Sequence, residues 1–233
     1  MGDFCSANAY AVRAEHVNRG HDSVPDFGAD FRAQLLELFR WRRDVRQFKR
    51  DPLPPGALER LLNVACLAPS VGLSEPWRFV MVDTEGNRQA IRACFDKTNE
   101  AALRGYSGER AALYARLKLE GLNDAPCQLA VFADPGTPQG HGLGRTTMPM
   151  TIEYSAVMAL NLLWLAARAE GIGMGWVSIL DPADVKSVLD VPPEWTLIGY
   201  FCIGYPLGES VTPTLQTDGW ESRADRAAMI LRR

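Results

Sequence analysis

Apolar residues recur at helical spacing in two segments near the start of the chain, residues 30–42 and 56–68. Asp30 is a suitable N-cap for the first of these helices. Residues 88–124 also have a helical pattern, with many charges. The most apolar helix is predicted over residues 151–171, which are too apolar all round for a surface helix.

Apolar and β-branched runs bounded by turn residues predict four strands, over residues 77–83, 127–134, 176–180 and 195–206. The first strand is expected to end at the turn TEGN, residues 84–87. A short helix, capped by Asp181, is predicted over residues 181–191, and the tail 209–223 is predicted to be extended. Helices and strands in this mixed order, with helices first, predict an α+β fold around one sheet.

The length of 233 residues suits one sizeable core, which we expect over residues 29–233. Residues 1–28 are polar and lack periodicity, so we expect a flexible N-terminal leader. No segment reaches the roughly 18 consecutive apolar residues of a membrane span, and no signal-peptide core is visible.

Charge and cysteine content narrow the classes of function. The net charge of −3 gives no general reason to expect nucleic acid or an anionic membrane as a partner. Five scattered cysteines without a C-x-x-C pair are typical of a cytoplasmic protein rather than a disulfide framework. Three histidines without cysteine partners or ligand spacing predict no metal site.

The segment RWRRDVR, residues 40–46, concentrates arginines around one carboxylate, Asp44. The planar guanidinium group of arginine matches two phosphate oxygens at once, so a small anionic ligand is one interpretation. The alternative is a solvated basic helix end that complements the helix dipole.

Two further stretches are not explained by secondary structure alone. APSVGLSEPW, residues 68–77, places hydroxyls and a glycine between a helix and a strand. GIGMGWVSIL, residues 171–180, has glycines that permit close approach of the backbone, and Ser178 is a lone hydroxyl in an apolar strand. An ordinary loop and a serine bonded to backbone are the alternatives.

Taken together, R-R-x-x-R, then A-P-S-x-x-x-x-x-P-W-R-F, then G-x-G-W-V before a late strand resemble the nitroreductase-like flavoproteins. The resemblance covers roughly residues 30–223. It implies an α+β nitroreductase-like fold with a central, mainly antiparallel sheet flanked by helices. It also implies a homodimer with FMN at the interface.

Differences from the common pattern of that family are informative. Asp44 stands where a serine is usual, and Leu73 and Glu75 replace an asparagine and a glutamine. Segments such as CLAPSVGLSEPWRF and RAEGIGMGWVSILDP are similar to one branch, the BluB-type 5,6-dimethylbenzimidazole synthases. That resemblance implies that reduced FMN and O2 are converted to 5,6-dimethylbenzimidazole, the lower ligand of vitamin B12, and erythrose 4-phosphate. FMN would be consumed as substrate, without a metal, and a separate flavin reductase would supply it.

The resemblance also implies roles for particular residues. Three arginines would hold the phosphate and ribityl end, a loop would line the isoalloxazine ring, and the G-x-G-W-V strand would lie on its other side; Arg223 is a further candidate for the phosphate. The three arginines are Arg42, Arg43 and Arg46, and the loop residues are Ser70, Val71 and Gly72. The strand residues are Gly175, Trp176 and Ser178.

A catalytic role is implied for Asp44 and Ser178. Breaking the ribityl carbon bonds requires a base, and an aspartate can accept a proton where a serine offers only a neutral hydrogen bond. We predict that Asp44 is this base and that Ser178 orients the peroxide or a sugar hydroxyl. The alternative is that Asp44 only forms a salt bridge to Arg43 or Arg46.

The family also suggests a lid over the flavin, expected within residues 98–150, with Tyr106, His141 and Met148 as candidate contacts. Two other functions stay open at this point. One is a conventional FMN-dependent NAD(P)H reductase of nitro compounds or quinones, and the other is a noncatalytic flavin-binding protein.

Overall fold

A computed structural model describes residues 25–233 of the chain. Helices and strands alternate irregularly along these residues, with an apolar helix in the middle of the sequence. The α-helices are α1 (Ala29–Trp41), α2 (Ala57–Ala65), α3 (Glu85–Leu103), α4 (Gly108–Arg116), α5 (Thr151–Ala169), α6 (Pro182–Val188) and α7 (Thr214–Thr217). The strands are β1 (Trp77–Met81), β2 (Cys127–Ala133), β3 (Gly173–Val177) and β4 (Thr196–Gly204).

The four strands form one sheet in the order β1-β2-β4-β3, and every neighbouring pair is antiparallel. The central strand β2 is buried along nearly its whole length, and a register shift interrupts its pairing with β4 between Val131 and Phe132. The predicted α+β fold with a mainly antiparallel sheet is therefore confirmed.

Both faces of the sheet are covered, because successive side chains of a strand point to opposite faces. On β2 and β4, Leu129 and Phe201 pack against α2 and α5. Phe132 and Tyr200 point the other way, into a second core with residues of α3 and α6. Burial raises the pKa of the Tyr200 phenol, which donates a hydrogen bond of 2.7 Å to Gln128 Oε1.

The segment after α1 runs beside the free edge of β3. Val45 N donates to Met174 O at 2.9 Å, and the Phe48 side chain is buried. A Cβ atom on Gly175 would lie 1.9 Å from Val45 O, so only glycine allows the two backbones to approach this closely. Gly173 and Gly175 of GIGMG are thus part of the sheet, and they allow the arginine segment to pack against it.

Several predicted boundaries are wrong. The helix α1 begins at Ala29 with Gly28 rather than Asp30 as its N-cap. TEGN is not a turn that only ends a strand, because Thr84 caps α3 by accepting from Asn87 N. The strand β3 begins at Gly173 and ends at Val177, so Ser178 follows the strand instead of lying in it.

The tail differs from expectation, and the structure narrows the range in which the predicted lid can lie. The tail is not simply extended, since α7 forms within it. The range 98–150 contains β2, a buried central strand, and such a strand cannot belong to a lid. Most of the predicted leader, residues 1–24, lies outside the described residues. None of the helices described is both long and apolar enough to cross a membrane.

Two loops cross closely at Gly72 and Gly140, and this contact predicts a stability difference. Gly140 and Gly56 have the same left-handed backbone angles, φ 77° and ψ 0°. A Cβ on Gly140 would lie 2.5 Å from Gly72 O, whereas nothing lies within 4 Å of a Cβ on Gly56. Gly56→Ala should cost about 1–2 kcal/mol of unfolding free energy from backbone strain alone. Gly140→Ala should cost clearly more, because backbone must also move.

Thermal and denaturant unfolding of the two variants side by side measures this difference. Equal destabilisation by the two substitutions would show that the crossing of the loops at Gly72 and Gly140 is not tight.

Candidate functional site

Arginine side chains from two distant parts of the chain converge on a cavity of about 150 Å³. The segment after α1 contributes one wall, and the tail contributes the other. The lining residues are Arg42, Arg43, Asp44, Arg46, Pro213, Thr214, Leu215 and Arg223. The predicted anion-binding arginines are therefore brought together, with Arg223 among them.

Asp44 is held in this cavity by two hydrogen bonds from different elements. Its Oδ1 accepts from Trp176 N of β3 at 2.8 Å, and its Oδ2 accepts from Arg46 Nε at 3.0 Å. The side chain keeps 33% of its surface exposed. Each carboxylate oxygen can accept a further hydrogen bond, so Asp44 is fixed in place and still accessible to a ligand.

Arg42 is a half-buried cation whose guanidinium has no hydrogen-bond acceptor among residues 25–233. Its guanidinium lies 5.0 Å from the centre of the Trp164 ring and donates no hydrogen bond to residues 25–233. Burial lowers the pKa of Arg42, Asp44 raises it, and the nearby Arg223 lowers it further. A bound anion would supply both the missing acceptor and the missing negative charge.

The neighbouring arginines are already engaged with backbone. Arg43 donates from Nε to Ser210 O at 3.2 Å and also donates to Val211 O and Arg40 O. Arg46 Nη1 donates to Lys118 O at 3.0 Å. Arg43 thus fastens the tail, whereas Arg46 links Asp44 to the loop after α4.

A larger cavity of about 300 Å³ shares the segment from Arg42 to Arg46 and extends toward α5. Trp41, Trp164 and Arg168 line it from the helices, and residues 206–214 cover it. Arg168 and Glu209 form a bidentate ion pair across it, at 2.7 and 2.9 Å. The two cavities share Arg42, Arg43, Asp44, Arg46 and Thr214 in their linings. We call the two cavities together the cleft, and the smaller arginine cavity is its cationic end.

The G-x-G-W-V strand borders this cleft, but its side chains point in different directions. Gly175 lies against Val45, and Trp176 uses its backbone N–H on Asp44 while its ring packs 5.1 Å from Phe201. Ser178 is exposed and makes no hydrogen bond with the residues described. Of the two predicted catalytic groups, the structure therefore orients only Asp44.

The loop of Ser70, Val71 and Gly72 lines neither cavity. Ser70 Oγ accepts from Glu75 N at 3.1 Å, and Val71 N donates to Ser155 Oγ at 3.0 Å. Gly72 lies under residues 140–143. Within one chain, this loop and the arginine cavity do not form a single site.

The three residues predicted to belong to a lid also lie away from the two cavities. His141 belongs to the segment over Gly72, and Met148 is half exposed just before α5. Tyr106 instead stacks on Tyr114 of α4, with ring centres 4.9 Å apart. Neither of the two cavities is lined by these side chains.

Two residues that line the larger cavity, Trp164 and Lys118, were not identified from the sequence. Trp164 lies in the apolar helix α5, where a tryptophan is expected to be core, and its Nε1 donates to Arg43 O at 3.1 Å. Lys118 follows α4 in a charged region with no distinctive pattern. The only signal for Trp164 was its polar N–H, which requires a partner in an apolar helix.

Comparison with known proteins gives a consistent result. The model of the nitroreductase family matches residues 39–205. A 5,6-dimethylbenzimidazole synthase of Rhodospirillum rubrum is 55% identical over 199 residues, which are 85% of this chain and 94% of that protein. A protein of the same name from Rhodobacter capsulatus is 46% identical over 196 residues, covering 84% of this chain and 95% of its own.

One solved structure, an oxidized iodotyrosine deiodinase bound to FMN and 3-iodo-L-tyrosine, is also similar. It has a TM-score of 0.66 and 25% identity, and the match covers 85% of this chain and 97% of that one. The chain is thus similar over nearly the whole length of each of these proteins.

Because Arg42 has no acceptor among residues 25–233, we predict that a phosphate monoester binds at the cationic end of the cleft. Arg42→Met should weaken this binding by about tenfold or more, because a charge-assisted hydrogen bond to an arginine is lost. The matched control is Arg60→Met, which removes an exposed arginine paired with Glu170 outside both cavities. Titration calorimetry at low salt measures both; equal affinities in the two variants would rule out Arg42 as an anion ligand.

Proposed function

Because the chain belongs to the nitroreductase family, we propose that it is a 5,6-dimethylbenzimidazole synthase that converts reduced FMN and O2 to 5,6-dimethylbenzimidazole and erythrose 4-phosphate. The family resemblance expected from the three motifs is thereby confirmed. Relatives of that name are 55% and 46% identical and are matched over 94% and 95% of their lengths. The product would serve as the lower ligand of cobalamin.

The observation that carries the proposal is the position of Asp44. A carboxylate oriented by Trp176 N and Arg46 lies in the wall of a cationic cavity that suits a phosphate. A carboxylate repels a bound phosphate, so a flavoprotein that only binds FMN could hold Trp176 N with a neutral acceptor in its place. An enzyme that must remove a proton beside the phosphate-bearing side chain does need such a group.

The residues present fit FMN as the substrate. Arg42 and Arg223 would bind the phosphate, and Arg46 would hold Asp44 and the ribityl chain. Gly175 allows the Val45 backbone to approach β3, and this places Asp44 next to Trp176 N at the wall of the cavity. Reduced FMN, when bound, supplies the electrons for reaction with O2. Its dimethylbenzene ring and the attached nitrogens would become 5,6-dimethylbenzimidazole, part of its ribityl chain would leave as erythrose 4-phosphate, and the pyrimidine ring would leave as a third fragment. No metal is part of this proposal.

Asp44 would act on the ribityl side chain. Its two observed hydrogen bonds leave acceptor capacity on both oxygens, so it can take a proton from a ribityl carbon or hydroxyl. Such proton transfer is worth about 10²–10⁴-fold in rate. Ser178, exposed beyond the end of β3, would donate a hydrogen bond to an oxygen atom of the substrate.

Asp44 does form the salt bridge to Arg46 that was considered as the alternative to a catalytic role. The two roles are compatible, because a base must be held in place by its neighbours before it can act. Arg46 and Trp176 N would hold Asp44 in place, and the second lone pairs on its oxygens would carry the chemistry.

A homodimer would complete the site. The loop of Ser70–Gly72 is separate from the arginine cavity within one chain, so a second copy would bring its own loop to the cleft. An exposed face of α5 offers a surface for this contact: Tyr154, Val157 and Met158 recur at helical spacing and are 38–56% exposed. Phe31 and Phe39 of α1 are also about half exposed.

A separate flavin reductase would supply the reduced FMN. The conventional reductase, which regenerates its flavin with NAD(P)H, is the alternative within this family. Asp44 in place of a neutral residue, and relatives named as synthases, favour the synthase.

A single-turnover experiment tests the proposal. The protein is mixed with excess FMN, reduced chemically without oxygen and then exposed to air, and the products are identified by mass spectrometry. We expect 5,6-dimethylbenzimidazole in amounts that increase with protein, and no product with heat-denatured protein. Return of intact oxidised FMN alone, together with steady NADH oxidation in a parallel assay, would identify a conventional reductase instead.

A further inference from the structure

An aromatic cluster outside the two cavities joins α4 to the C-terminal tail. Tyr106 stacks on Tyr114, and Trp220 meets their rings edge-on at centroid distances of 5.5 and 6.1 Å. Arg110 covers the other side of Trp220 at 4.4 Å and donates from Nη1 to Trp220 O at 2.9 Å. We call these four residues the α4 clasp.

The α4 clasp is anchored to the rest of the molecule through Tyr114. This side chain is buried, and its hydroxyl donates a hydrogen bond of 2.8 Å to Asn99 Oδ1 of α3. Burial raises the pKa of Tyr114, so the hydroxyl remains a donor. Trp220 is therefore packed on a fixed support rather than on a mobile surface.

Trp220 also closes a compact turn of the tail. Its N–H donates to Leu215 O at 2.8 Å, and Gly219 takes the left-handed angle, φ 76°, that reverses the chain after α7. Leu215 lines the arginine cavity. The turn thus contributes Leu215 to the arginine cavity, and Trp220 attaches the turn to α4.

Arg223 lies three residues beyond Trp220 and has no direct hold of its own. It lines the arginine cavity but makes neither a hydrogen bond nor an ion pair with residues 25–233. Its neighbours across the cavity include the cations Arg42 and Arg43, which repel it. The position of Arg223 in the cavity must therefore be set by the parts of the chain that precede and follow it.

We propose that Trp220 is a positioning residue, which, through the α4 clasp, holds Arg223 at the cationic end of the cleft for the phosphate of FMN. This inference rests on the proposed function, since it takes FMN as the ligand. It assigns α4 a role at the site, because any movement of α4 away from α3 would carry Trp220, and with it Arg223, away from the phosphate.

The phosphate group allows a direct test with the full-length protein. Affinities for oxidised FMN and for riboflavin, which lacks the phosphate, are measured by flavin fluorescence in wild type, Trp220→Ala, Trp220→Phe, Arg223→Met and the double variant Trp220→Ala/Arg223→Met. Wild type should prefer FMN. Trp220→Ala should weaken FMN binding by about tenfold, the typical effect of losing one charge-assisted contact, and leave riboflavin binding unchanged.

The double variant and the conservative variant separate positioning from packing. If Trp220 acts through Arg223, the double variant should bind FMN no more weakly than Arg223→Met alone, because the two changes remove the same contact. Trp220→Phe keeps an aromatic ring on Tyr106 and Tyr114 and should restore most of the affinity.

Three results would overturn the inference. Equal weakening of FMN and riboflavin by Trp220→Ala would indicate general loss of packing. Additive losses in the double variant, or a normal FMN affinity in Trp220→Ala while Arg223→Met is impaired, would show that the clasp does not position Arg223. These three leave the proposed function intact, whereas a wild type that fails to prefer FMN over riboflavin would contradict the phosphate site and the inference together.

Discussion

The hydrogen bond from Trp176 N to Asp44 Oδ1 is the interaction on which the arrangement of the site depends. It connects the segment after α1 to the edge of β3, where Val45 and Met174 are also paired through backbone. Without it, only backbone pairing would hold this segment to the sheet, and the Asp44 side chain would not be fixed beside the arginines. A buried backbone N–H requires an acceptor, and here the acceptor is a side chain that also has capacity for chemistry.

Several other features help to hold the arginine segment against β3. Gly175 removes the side chain that would otherwise keep Val45 away from β3. Arg46 holds the second oxygen of Asp44, and Arg43 binds the tail through Ser210 and Val211. The cleft is thus bordered by three parts of the chain that are far apart in sequence, and each is attached to the segment that carries the arginines.

Much of the fold could be predicted from the sequence, because α2, α5, β2 and β4 have apolar patterns of the right period and length. The prediction was wrong where local pattern and tertiary context disagree. Gly173 and Gly175 look like loop residues, yet they belong to β3 because a neighbouring backbone takes the space of their missing side chains. The helix that starts after Thr84 was obscured by Gly86 in its first turn.

The candidate site was predicted in part. The charge density around Asp44 indicated an anion site, and the structure gathers Arg42, Arg46 and Arg223 at one cavity. No local pattern could show that the loop containing Ser70 lies apart from that cavity, since this follows from the topology of the chain. The role of Trp220 was equally invisible, because it depends on contacts with α4, which lies about a hundred residues earlier in the sequence.

The central claim is that Asp44 acts as a base in addition to holding the site together. The most direct test is Asp44→Asn, in which the amide oxygen can still accept from Trp176 N but cannot take a proton. Asp124→Asn, which changes a similarly half-buried carboxylate paired with Arg50 outside both cavities, is the matched control. We predict that Asp44→Asn binds oxidised FMN nearly as well as wild type but forms 5,6-dimethylbenzimidazole about 10²–10⁴-fold more slowly. Parallel loss of FMN binding and product, or product at the wild-type rate, would contradict the account.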